Sequence, residues 1–177
     1  MRNFTYICLI LISLILQINI SNKLFLDYPK INLILIVLIC LSIIEKPKIF
    51  LTLAFIAGMF IEFFENEFFG ITTISFLIVC LLVNYLFQRF LGSYNFLVIM
   101  LTGLLSTFIY FFCFSIFAKI YLLFNIVSEN FSFSKNFLFL VLGEAGLNSI
   151  IILFLFYPLI KLNGFFRKLE KFKKVSG

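Results

Sequence analysis

Two carboxylates set in apolar sequence, Glu62 and Glu144, are the groups of this chain with acid/base potential. An ionisable side chain within lipid is costly unless it faces protein, water or the interface. Glu62 closes a helical face that carries Ala54 and Gly58 at intervals of four, a seam that lets another helix approach closely, either one of the chain's own or that of a binding partner. Glu65, Glu67 and then Gly70 follow, so that helix is expected to end in an acidic turn. Glu144 lies in the run GEAGLNS, about 10 Å from the expected start of its helix, with Asn148 one turn further on the same face. A pair so placed calls for polar partners. The stripe Thr73, Cys80, Asn84 and Gln88, whose steps of seven and four return to one side of a helix, is the candidate. That stripe either bonds a neighbouring helix or faces a substrate. Nothing in the sequence brings Glu62 and Glu144 together.

Other chemistry is excluded by residue type. The chain has no histidine, no G-x-S-x-G, no phosphate-binding lysine loop and no H-E-x-x-H, so neither an enzyme nor a metal or cofactor site is expected. Cys8, Cys40, Cys80 and Cys113 lie in four separate apolar runs, without the spacing of a zinc site or a disulfide framework.

The elements that must position these groups follow from composition. Of 177 residues, 63% are hydrophobic and 12% charged, against about a quarter charged in a soluble domain. An all-α polytopic membrane protein is expected, with about six transmembrane helices in residues 1–160 and a basic tail in 161–177. The 28 phenylalanines recur in every apolar run and read as a compositional habit rather than an aromatic site.

The spans are 4–20, read as retained rather than as a cleaved leader, then 31–44, 49–64, 70–87, 95–118 and 137–160. The second, with Pro29 ahead of it, is short enough that it must borrow flanking residues or lie where the protein is thin. A loop over 125–136 carries Asn130-Phe131-Ser132, an acceptor pattern for glycosylation, and 120–124 before it could extend the fifth span or lie along the interface.

An even number of spans puts both termini on one side. With Arg2, Lys46, Lys48, Arg89, Lys161, Arg167, Lys168, Lys171, Lys173 and Lys174 there, that side holds ten basic residues against four opposite (Lys23, Lys30, Lys119 and Lys135). It should be cytoplasmic, leaving Asp27, Glu65, Glu67 and Glu129 outside. Within the tail, Arg167, Lys168, Lys171, Lys173 and Lys174 interleave with Phe165, Phe166, Leu169 and Phe172, the pattern of an amphipathic helix on anionic lipid or of a segment that simply holds topology. The positive charge serves orientation, and no nucleic acid partner is expected.

The order of landmarks resembles the bacterial rod shape-determining membrane protein family MreD. The first span ends in Leu16-Gln17, Pro29 opens the second, and Phe55-x-x-Gly58-x-x-x-Glu62 is followed eight residues later by Gly70. The last span has Leu147-Asn148 early and Tyr157-Pro158-Leu159 near its end. The family usually has aspartate where this chain has Glu62. The resemblance implies a non-enzymatic scaffold of the cell-elongation machinery in the bacterial inner membrane. Its implied partners are an MreC-like single-span coiled-coil protein and the elongation wall synthases. A six-span substrate-binding subunit of an energy-coupling vitamin transporter also has this size and span count. Such subunits generally carry an alanine-rich first helix, and 4–20 contains no alanine.

Overall fold

A computed structural model describes residues 2–21, 29–64, 69–92, 94–123 and 137–175, with the backbone alone from 168 onward. The described residues are all-helical apart from short connections, and a twelve-residue helix stands at their centre. This helix, α2 (Leu33–Ile44), is apolar throughout except for Ser42 and is buried over residues 34–43. A helix that is hydrophobic all round needs neighbours on every side. It has them in α1 (Arg2–Ser21), α3 (Pro47–Phe64), α4 (Ile71–Leu86), α5 (Phe96–Leu123) and α6 (Phe137–Val175). The short second helix is thus wrapped by protein along its whole length, over Leu33–Ile44.

Among the described residues, four helical stretches are long and apolar enough to cross a membrane, 47–64, 71–90, 96–121 and 138–167, while the apolar parts of α1 and α2 are shorter. Phenylalanine serves both inside and outside. Phe50, Phe76 and Phe156 are fully buried in the core, whereas Phe63, Phe112 and Phe154 are largely exposed on the outer surface, as apolar side chains facing lipid would be.

Three details depart from the expected boundaries. The fifth helix continues to Leu123, so the apolar run 120–123 extends it. The fourth ends in a single π turn, Phe87–Leu91, closed by Gly92 at a φ of 47° whose N–H bonds the Phe87 carbonyl. The sixth runs unbroken through Pro158 and past residue 161, so the tail begins as a continuation of the same helix. The expected loop over 125–136 with Asn130, and the charged residues Lys23, Asp27, Glu65, Glu67, Glu129 and Lys135, lie outside the described residues.

Candidate functional site: the capped ends of the central helix

Burying a short helix leaves its end groups to be satisfied by protein, since the first N–H and last C=O groups of any helix lack partners within it. Polar residues from distant parts of the chain converge on both ends of α2 for this purpose.

At the start of α2, the Asn32 side chain accepts from the Leu35 N–H at 3.0 Å, and Gln17 of α1 accepts from the Ile34 N–H at 3.2 Å. The Ile36 N–H turns back to the Asn32 carbonyl. Asn148 of α6 accepts from the Asn32 N–H at 3.1 Å and donates to the Thr107 hydroxyl of α5 at 3.3 Å. One amide thus joins three helices. Pro29 lies so close to Gly143 that a Cβ there would overlap the proline ring, which explains a small residue at that point of α6. Glu144 is half-buried beside Asn148, with Lys30 within electrostatic reach.

At the far end, the last carbonyls of α2 are served in turn. Glu45 N–H reaches the Leu41 carbonyl, Asn84 of α4 donates to the Ser42 carbonyl at 2.6 Å, and Arg167 of α6 donates to the Ile44 carbonyl at 3.0 Å. The Glu45 carboxylate is itself buried and accepts from the Tyr6 hydroxyl at 2.9 Å and from the Asn163 amide at 2.8 Å. The side-chain oxygen of Asn163 has no hydrogen-bond partner among the described residues. Glu45 and Asn163 were not singled out in the sequence. Glu45 is one charge in the polar turn EKPK, and bonds from groups 39 and 118 residues away distinguish it.

The second buried carboxylate belongs to another helix start. Glu62 accepts from the Gly70 N–H at 2.9 Å, the Thr73 N–H at 2.7 Å and the Thr73 hydroxyl at 2.9 Å. Gly70, which precedes α4, has no side chain to cap it and sits at a φ of 92°, a left-handed conformation that glycine adopts without strain. Glu62 supplies from α3 the acceptor that an N-cap side chain normally provides. Gly58 makes the reach possible: a Cβ there would lie 2.5 Å from the Thr73 Cα. The spacing Gly58, Glu62, Gly70 is therefore one device, a close approach, a cap and a turn that together staple α3 to α4.

Several expectations are corrected by this geometry. Ala54 and Gly58 are buried inside the protein, with Gly58 against α4, so the seam is filled by the chain's own helices and offers no free face to a partner. Glu144 and Asn148 do not meet the stripe on α4; Asn148 bonds α2 and α5 instead. The stripe itself divides, with Thr73 on Glu62, Cys80 and Asn84 against carbonyls of α2, and Gln88 exposed on the π turn. It lines no common site. Of the basic tail, Arg167 is described and anchored on α2; the side chains of Lys168, Lys171, Lys173 and Lys174 lie outside the described ones.

Among the described residues, the buried carboxylates Glu45 and Glu62 and the amides of Asn32, Asn84 and Asn148 thus stand at helix ends or bond groups there, while buried hydroxyls such as Ser75, Ser106 and Ser149 bond carbonyls of their own helices. Compared with known proteins, the chain matches no protein family, no curated protein and no solved structure.

Proposed function

We propose that the chain is a non-enzymatic membrane scaffold of the bacterial cell-elongation machinery, a protein that resembles MreD. The observation that supports this most is the division of labour among the landmark residues. Gln17, Pro29 and Asn148 gather at the start of α2, while Gly58, Glu62 and Gly70 build the start of α4. Landmarks devoted to holding helices in place suit a protein whose task is to present a rigid surface within the bilayer.

In this reading all six helices belong to a bundle in the inner membrane, with α1 and α2 completing the four long spans, and both termini face the cytoplasm. The partners are an MreC-like single-span coiled-coil protein and the elongation wall synthases. Because the Ala54/Gly58 side of α3 is occupied, contact with a partner helix falls on its opposite side, where Phe55, Met59 and Phe63 are exposed. A groove of about 440 Å³ lined by Ile56, Met59, Phe60, Phe63, Phe64 and Phe69 runs along that surface. Close packing must supply affinity there, because lipid is as apolar as the groove. Engagement of the α4 stripe with α2 and α3 favours a scaffold over a vitamin-binding subunit, which would direct such groups toward a ligand.

The test is recovery of the tagged chain from its native membrane in mild detergent, with mass spectrometry of what accompanies it. A single-span coiled-coil protein together with wall synthases is the expected result. Paired ATPases with a second membrane subunit would overturn it in favour of a transporter.

A further inference from the structure

The charged residues described at one end of the bundle have a single sign at the surface. Lys46 and Lys48 stand exposed in and just after the turn between α2 and α3; Lys161 and Arg167 stand exposed on α6. Arg167 is brought to the same corner by its bond to the Ile44 carbonyl, two residues before Lys46. That bond uses one of the five N–H donors of the guanidinium. The acid within this corner, Glu45, is buried and bonded by Tyr6 and Asn163. None of the described acidic side chains is exposed.

The backbone adds to this excess. An α-helix carries partial positive charge at its start, where acidic residues are favoured and cations are not. Helix α3 has no acid in its first turn and has Lys48 there, with Lys46 just ahead of Pro47. Two lysines, an arginine and a helix start of the same sign, contributed by segments more than a hundred residues apart, form a corner with no exposed acidic side chain among the described residues.

We propose that the corner formed by Lys46, Lys48 and Arg167 binds the phosphate of an anionic phospholipid headgroup. Its position selects lipid over an acidic protein. Helix α3, apolar and long enough to span, begins at Pro47, which places the turn at the edge of the hydrocarbon, where phosphates lie. Phe165, 60% exposed, stands on α6 between Lys161 and Arg167 in sequence, so the same stretch of helix carries an exposed aromatic and cations, the mixture that suits the boundary of headgroups and acyl chains. The assignment does not depend on which machinery the protein serves.

The experiment uses the full chain in nanodiscs of phosphatidylcholine containing increasing phosphatidylglycerol, with thermal unfolding and retained lipid as readouts. Wild-type protein is expected to be stabilised by, and to retain, phosphatidylglycerol, and to lose this preference at high salt. Lys46→Gln and Lys48→Gln alter exposed side chains, and each should weaken apparent affinity for phosphatidylglycerol roughly fivefold. Equal retention of phosphatidylglycerol by the double variant overturns the proposal. So does lysine-dependent binding of a polyglutamate peptide in pure phosphatidylcholine discs without any response to phosphatidylglycerol, which would make the partner an acidic protein.

Discussion

Glu62 and Glu45 are both carboxylates buried within the protein, and both accept hydrogen bonds at about the same lengths, yet they secure different things. Glu62 is bonded by groups 8 and 11 residues away, so it closes a hairpin between two consecutive helices. Glu45 is bonded by groups 39 and 118 residues away, so it ties the first helix and the last one to the centre. A local clamp is complete once its own hairpin has formed. A remote one is complete only when the whole bundle has assembled, and loss of either partner leaves a buried charge short of a donor.

The two carboxylates can be separated by substitution. Replacing Glu62 with leucine should have the largest effect, about 4 kcal/mol, because it strands the buried Thr73 N–H and hydroxyl and the Gly70 N–H. Hydrogen exchange should accelerate at residues 70–73 and leave α6 protected; a uniform rise across the chain would erase the distinction drawn here. Gly58→Ala should come next, at about 3 kcal/mol, since the added methyl meets the Thr73 backbone rather than a side chain that can move. A smaller loss in thermal unfolding than that of an Ala57→Gly control would show that α3 and α4 can separate freely.

Glu45→Gln should cost about 2 kcal/mol, as the amide keeps one acceptor but gives up the charge that strengthens its bonds. Its mark is spatial: exchange should rise in α1 and α6 together. A double-mutant cycle with Tyr6→Phe should return a coupling of about 1 kcal/mol, and strict additivity would remove Tyr6 from the junction. Asn84→Leu should have the smallest effect, about 1 kcal/mol, from the unpaired Ser42 carbonyl. An effect larger than that of Glu45→Gln would move the weight of that end from the carboxylate to α4.

What was legible in the sequence follows the same division. Gly58, Glu62 and Gly70 stand within thirteen residues, and their spacing alone marks a close approach, an acid and a turn. Even so, the seam alone does not separate packing against the chain's own helices from docking of a partner, because a row of small residues records that something packs closely without recording what. The helices themselves were readable as long apolar runs, and the extension of the fifth through 120–123 lay in the same hydropathy. The role of α2 was not readable. A run of twelve apolar residues has one composition whether it is a thin span or a core helix, and only its neighbours decide. Glu45 and Asn163 escaped for a related reason: each is an ordinary polar residue near a helix end, and their meeting depends on the fold of the intervening chain. Asn148 was recognised as needing a polar partner, but the partner was the backbone of Asn32, and a backbone N–H has no signature in a sequence.

The dependence of α2 on α6 also has a temporal side. During synthesis α2 emerges roughly a hundred residues before Asn148, Asn163 and Arg167, the groups that complete its two ends. Until they arrive, the centre of the bundle is a twelve-residue segment with unfinished polar termini, poorly suited to rest in lipid on its own. A chain halted before α6 lacks every one of these groups, so its second helix would have both ends incompletely bonded. Arrival of the last helix is the event that commits the protein to its mature form.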